Sequence, residues 1–175
     1  MTALRAIADA IDAFNDRVGR TVAWLVLAVV GMLFVQVPLR EIFHGGHNTA
    51  NDVGQLIHAT VFMVGAAYAM RHDAHVRVDI FHQRLSPRAR AAVELVGTVF
   101  FLLPWLALLG WYSVPIVLNS VGELEQFAET YTPGYYLMKL LLFVFVALVS
   151  LQAIATTARA LIVLAAPAGA NRRSG

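Results

Sequence analysis

The segment 71–82 holds the densest set of side chains able to do chemistry. It reads Arg71-His72-Asp73-Ala74-His75-Val76-Arg77-Val78-Asp79-Ile80-Phe81-His82. On a helix, three histidines and Asp79 would share one face, an arrangement that binds metal ions such as zinc. However, apolar residues alternate with Arg77 and Asp79, which favours an extended segment in which these ligands scatter. We therefore predict a structural charge cluster here and no metal site.

The remaining histidines give weaker signals. His44 and His47 flank two glycines and supply only two ligands on a flexible link, so we expect no metal there. His58 lies inside a long uncharged stretch, but a membrane haem needs axial ligands that usually come in histidine pairs. We expect His58 to make an interhelical hydrogen bond instead. The glutamines expected to act in the same way are Gln36, Gln55 and Gln152.

An acidic cluster is formed by Glu123, Glu125 and Glu129. It is either a solvated loop or a docking surface for an extracytoplasmic protein, because complementary charge steers protein encounters. The chain has no cysteine, which excludes disulfides, thiolate metal sites and cysteine nucleophiles. The serines lack an evident base, and there is no glycine-rich phosphate loop. We predict no enzyme, no cofactor or metal, and, with a net charge of only +2, no nucleic-acid partner.

Four stretches without Asp, Glu, Lys or Arg must position these groups: residues 21–39, 53–70, 95–121 and 140–158. Each has at least the roughly 17 to 25 residues that cross about 30 Å of hydrocarbon as a helix. The composition, 59% hydrophobic and 14% charged, is typical of membrane proteins. We predict an all-α integral membrane protein with four transmembrane helices. The expected spans are about 21–42, 53–70, 95–118 and 138–160.

The distribution of positive charge predicts the orientation. All but two of the 13 Lys and Arg residues lie in the N-terminal segment, the central connection or the C-terminal tail. Since positive residues stay on the cytoplasmic side, both termini and the central connection should be cytoplasmic. Apolar residues at helical spacing in the segment 1–20 predict an amphipathic helix that leads into the first span. We expect a cytoplasmic amphipathic segment (1–20), one membrane domain (21–163) and a cytoplasmic tail (164–175).

Local signals refine the four spans. The small residues Gly65, Ala66 and Ala67 let helices approach closely in lipid, and with His58 they are our candidates for helix–helix packing. Ser86-Pro87 predicts an N-cap and first turn for the third helix. Prolines at 104 and 115 predict that this span tilts or bends. Because no span carries an acidic or strongly basic side chain, the chain lacks the usual marks of its own transport pathway.

The motifs also resemble a known family. Arg71 with the run His75-Val76-Arg77-Val78-Asp79-Ile80-Phe81, followed by Leu85-Ser86-Pro87-Arg88-Ala89-Arg90, resembles the small membrane subunit of tripartite ATP-independent periplasmic transporters, the DctQ-like family. The similarity continues through Phe101-Leu102-Leu103-Pro104, Gly122-Glu123 and Pro133-Gly134-Tyr135-Tyr136-Leu137-Met138-Lys139. It covers about residues 20–160.

This resemblance implies two protein partners besides the lipid bilayer. One is a large membrane subunit that holds the substrate and sodium sites, and the other is a periplasmic binding protein that delivers an organic acid. The small subunit would brace the large one and contribute to docking of the binding protein. Its cytoplasmic motif, here Arg71, His75, Arg77 and Asp79, would serve structure or partner contact.

We therefore expect a non-catalytic scaffold subunit of a sodium-coupled importer in a bacterial inner membrane. Two alternatives from other classes remain open at this point. One is a small membrane electron carrier with haem, and the other is a homo-oligomeric channel.

Overall fold

The structure, a computed structural model, describes residues 2–43, 48–72 and 85–166. Within these ranges it is helical, apart from connections and one isolated bridge between Gln126 and Pro133. Four helices are long and apolar enough to cross a membrane, which confirms the predicted all-α membrane fold. The elements are α1 (Thr2–Phe43), α2 (Asn48–Arg71), α3 (Pro87–Val96), a π-helical segment (Gly97–Leu102), α4 (Leu103–Gly122) and α5 (Tyr135–Ala165).

The N-terminal segment and the first span form one helix. α1 continues without a break for 42 residues, with Pro38 inside its last turns. The side of its first turns that meets the bundle differs from the expected apolar face. Ile7 and Phe14 are exposed, whereas Asp12 is only 4% exposed. Asp12 is therefore buried although it is not part of the apolar pattern of this segment, because other helices supply polar partners that periodicity in one segment cannot reveal.

The third span begins as the sequence predicts. Ser86 caps α3, with its hydroxyl accepting a hydrogen bond from the amide of Ala89 at 3.3 Å, and Pro87 occupies the first turn. Before Pro104 the helix widens to π geometry, and the Leu103 amide donates to Thr98 O, five residues back. Proline lacks an amide proton and its ring crowds the preceding turn. The π segment is the type of local adjustment found where an α-helix has to accommodate such a break.

α5 is the central helix of the bundle. It packs against α1, α2, and both α-helical parts of the third span, and it is the most buried of the four membrane-length helices. The C-terminal half of α5 is rich in alanine: Ala153 and Ala155 are fully buried and Ala160 is 2% exposed. Small side chains allow the neighbouring backbones to come close. The third span packs chiefly on α5, so much of its surface stays uncovered.

The bundle has two ends, which we name after residues found there. At the Arg71 end, α1 starts, α2 stops, α3 starts and α5 stops. At the opposite, Asp52 end, α2 starts and the connection 123–134 joins α4 to α5. The main apolar core, which includes Val64, Leu106 and Leu148, lies between these two ends.

Gly19 fixes the distance between α1 and α2. A Cβ atom added there would lie 2.5 Å from Cβ of Tyr68, closer than real side chains approach. Tyr68 Cβ is attached to the backbone and cannot move aside by rotation of the side chain. The two helices can therefore meet at this point only because residue 19 has no side chain.

We predict that Gly19→Ala separates α1 from α2 and destabilises the bundle by roughly 1–3 kcal/mol, the usual cost of overpacking. The measurement is the thermal unfolding midpoint of the purified chain in mild detergent. Gly31→Ala is the matched control, since a Cβ at Gly31 would meet nothing within 4 Å. Equal midpoints for the two variants would contradict this account of Gly19.

Candidate functional site

A buried polar network joins α1 to α5 near the Arg71 end. Asn15 Nδ2 donates to Gln152 Oε1 at 2.7 Å, and Gln152 Nε2 donates to Asp12 Oδ1 at 3.0 Å. Asp12, Asn15 and Gln152 are each at most 4% exposed. The predicted interhelical hydrogen bond of Gln152 is confirmed. Because buried polar groups are costly when unpaired, these bonds select the relative position of α1 and α5.

Two arginines neutralise the buried Asp12 carboxylate. Arg159 of α5 forms an ion pair with Asp12 Oδ2. Arg71 of α2 lies 3.8 Å from the same oxygen through Nε, and its Nη1 donates to the Asp12 carbonyl oxygen at 2.8 Å. A charge that is removed from water stays ionised at low cost only when opposite charge and hydrogen bonds replace the water. Asp12 therefore connects α1, α2 and α5 at one point.

A second, more exposed carboxylate extends the cluster. Asp16 lies one turn after Asp12 and pairs with Arg71 Nη1 at 2.8 Å, with His72 Nε2 at 3.0 Å and with Arg20. Exposed ion pairs contribute little to stability, so this group mainly orients Arg71. Beside the network lies a cavity of about 250 Å³ whose polar lining includes Arg71, Glu94, Gln152 and Arg159.

The rest of the predicted cytoplasmic motif is not covered by the structure. Arg71 is tied to α1, as described, but His75, Arg77 and Asp79 lie outside the described residues. The other histidines weighed as metal ligands in segment 71–82 also lie outside the described residues, apart from His72, which pairs with Asp16. Among residues 2–43, 48–72 and 85–166, no group of three or more His, Cys, Asp or Glu side chains could hold a metal ion.

The candidates for helix packing on α2 divide between two sides. Ala67 is 1% exposed in the chain's own core, and Ala66 packs against that core. Gly65 faces open space, because an added Cβ would meet nothing within 4 Å. His58 is exposed and lies against Phe62, with 5.8 Å between ring centroids. Its ring makes no hydrogen bond to any other described residue, so the expected interhelical bond is not formed within the described parts of this chain.

At the Asp52 end, the connection 123–134 is a structured loop. The Phe127 amide donates to Thr132 O at 3.0 Å, and the Phe127 ring packs edge-on against Tyr135. Asp52 of α2 is 6% exposed and accepts hydrogen bonds from the hydroxyls of Thr130 and Thr132. These contacts fix the loop to both α2 and α5.

The three glutamates of this loop are not equivalent. Glu125 pairs with Lys139 and accepts a hydrogen bond from Ser120, and these bonds, that of Lys139 first, hold the pKa of its carboxyl below the usual value. The pairing therefore stabilises the loop above the ordinary pKa of a glutamate, and its contribution is lost as the pH falls through the lowered pKa. Glu123 and Glu129 are exposed. Of the three glutamates in the predicted acidic cluster, only these two present an exposed side chain on the loop surface.

Sequence reasoning missed the residues that join the helices at the Arg71 end. None of Asp12, Asn15 and Arg159 is among the candidate residues predicted from the sequence. A weak signal was present, because Ala8, Asp12, Asn15 and Gly19 recur at helical spacing and all are buried. Gln152 and Arg159 lie two turns apart on the side of α5 that contacts Asn15 and Asp12.

We predict that Asp12→Asn destabilises the bundle by about 3–5 kcal/mol, because Arg71 and Arg159 then lose their buried counter-charge. The measurement is the unfolding midpoint in mild detergent. Asp9→Asn is the matched control, since the Asp9 side chain is 75% exposed and lies 3.7 Å from the same Arg159. If the two variants unfold at the same temperature, the buried network does not hold these helices together.

Comparison with known proteins identifies the family. Residues 29–162 match the sequence model of a family described as "Tripartite ATP-independent periplasmic transporters, DctQ component". No curated protein and no solved structure gives a significant match to the chain. The matched region includes the four membrane-length helices from the middle of α1 onward, together with Arg71, Gln152 and Arg159. Since it covers well over half of the chain, the chain belongs to the DctQ family, the small membrane subunits of tripartite ATP-independent periplasmic transporters.

Proposed function

We propose that this chain is the static scaffold of a sodium-coupled importer of an organic acid in a bacterial inner membrane. Its 21–163 region is the membrane domain, with the Arg71 end and both termini in the cytoplasm. One side of the bundle packs against the large membrane subunit, which moves the substrate. A soluble binding protein delivers that substrate to the Asp52 end.

The observation that carries this proposal is the use of the buried charges. A transport pathway needs ionisable groups that can exchange partners with a solute or an ion. Asp12 is instead held by Arg71, Arg159 and Gln152 from two other helices. These interactions join three helices at one buried point, which suits a support rather than a conducting element. Neither a haem-bearing electron carrier nor a channel gains a specific observation from the described residues.

The same chain offers a surface for the binding protein. Glu123 and Glu129 are exposed on a loop that Asp52, Thr130 and Thr132 fasten to α2. Tyr131 is 76% exposed and has a positive φ of 56°, a conformation that bulky residues rarely adopt. Strained, exposed residues often mark contact sites. We therefore assign docking to Glu123, Glu129 and Tyr131, and a structural role to Glu125.

The test of the scaffold is uptake into liposomes that contain this chain alone, its cognate large subunit alone, or both. Binding protein and a panel of ¹⁴C-labelled organic acids are added outside under a sodium gradient. We expect accumulation only with both subunits, and background levels when choline replaces sodium. Accumulation by this chain alone would refute the proposal, as would full activity of the large subunit without it.

The docking role makes a separate prediction. Glu123→Lys combined with Glu129→Lys should weaken association with the binding protein roughly 10-fold at low salt, with a smaller effect as the salt rises. Association is measured by surface plasmon resonance on the assembled membrane complex. The control is Glu41→Lys, which reverses one charge outside the loop and is compared with Glu123→Lys alone, which reverses one charge within it. An equal loss in the control would contradict a specific role for the two loop glutamates.

A further inference from the structure

One side of α2 carries hydrogen-bonding groups at membrane depth that nothing in the described chain satisfies. We name this side the α2 face, and its residues recur every three or four positions. They are Asn51, Gln55, His58, Phe62, Gly65 and Ala69. The first four are exposed and the last two are half-buried.

His58 lies near the middle of the span. α2 has 24 residues, and His58 is about 15 Å from its start at a rise of about 1.5 Å per residue. Neither His58 nor Gln55 forms a hydrogen bond to another described residue. Lipid tails offer no such partner, and a polar side chain that faces hydrocarbon is unfavourable. This side of the helix is therefore less stable in contact with lipid tails than in contact with a protein that can form hydrogen bonds.

α1 contributes to the same surface. A groove of about 280 Å³ runs between α1 and α2 near His58, and its polar lining includes Gln36 of α1 with Gln55 and His58 of α2. Three side chains able to donate and accept thus converge on one membrane-exposed groove. Toward the Arg71 end, Gly65 has no side chain, and an added Cβ there would meet nothing within 4 Å. A second helix can approach the α2 backbone closely at that point.

We propose that the α2 face and its groove bind a transmembrane helix of the large subunit, and that this helix supplies polar side chains to His58, Gln55 and Gln36. The inference rests on the proposed function, because it takes its partner from there. Association of helices in lipid depends on close packing and on interhelical hydrogen bonds, since apolar surface alone has no preference over lipid. The α2 face offers the hydrogen bonds in its outer half and the close approach at Gly65.

The third span is the obvious alternative surface, and it differs in chemistry. Its exposed side chains include Phe101, Trp105 and Trp111. These are apolar or aromatic, and they are stable in contact with lipid tails without a protein partner. The two surfaces can therefore be compared directly, because Phe62 on the α2 face is 73% exposed and Phe101 on the third span is 72% exposed.

The test places the photo-crosslinking residue p-benzoylphenylalanine at position 62 or 101 of the full chain, expressed with its cognate large subunit in the native membrane. We expect an adduct with the large subunit from position 62 and none from position 101. An adduct from 101 with none from 62 would overturn the inference. A dimer of this chain from position 62, or lipid adducts alone, would overturn it as well.

A second measurement isolates the polar groups. His58→Leu should leave the unfolding midpoint of the isolated chain unchanged, since His58 makes no hydrogen bond to other described residues. It should lower the amount of large subunit that co-purifies in mild detergent by about 3- to 20-fold, the range for lost interhelical hydrogen bonds. Trp105→Leu on the third span is the control and should retain the complex. Normal co-purification with His58→Leu would contradict the proposed hydrogen bonds.

The outcomes separate this inference from the function on which it rests. If the large subunit co-purifies with the unmodified chain but crosslinks elsewhere, the α2 face is wrong and the scaffold proposal stands. If the large subunit does not co-purify with the unmodified chain, the scaffold proposal itself fails.

Discussion

The buried carboxylate of Asp12 sets the main constraint on this bundle. A charge that is removed from water must be neutralised and hydrogen-bonded, and here the partners come from two other helices, Arg71 on α2 and Arg159 and Gln152 on α5. The requirement favours an arrangement in which the three helices meet at Asp12. The apolar core then packs in that arrangement, with Gly19 allowing α1 and Tyr68 of α2 to meet.

The central position of α5 follows from the same arrangement. Its alanines let three neighbours come close, whereas the third span has only α5 as its principal neighbour. The chain therefore pairs the buried Asp12 carboxylate at the Arg71 end, where Asn15 Oδ1 and Thr157 Oγ1 are buried without a partner among the described residues. It leaves other polar groups open on the α2 face. In a family whose members work with a larger membrane subunit, this division suits a support that is joined internally and incomplete on one side.

The Asp52 end shows how a loop becomes a fixed surface. Asp52 accepts hydrogen bonds from two threonine hydroxyls, and Glu125 accepts hydrogen bonds from Lys139 and Ser120. These interactions hold the backbone so that Glu123 and Glu129 remain outside. The three loop glutamates thus have different surroundings, because only Glu125 pairs with a lysine from α5 among the described residues.

The number of membrane-length helices, the cap at Ser86 and the family resemblance were predictable from sequence, because apolar runs, capping residues and short motifs are local properties. The hydrogen bonding of Gln152 was predicted because an amide within an apolar stretch needs a partner, but the same expectation for Gln55 is not met within the described residues. The burial of Asp12, the pairing of Glu125 and the open position of His58 were not predictable. Each depends on what a side chain meets across the bundle, and residues 137 or 140 positions apart, such as Gln152 with Asn15 and Asp12, become neighbours only after the helices have packed.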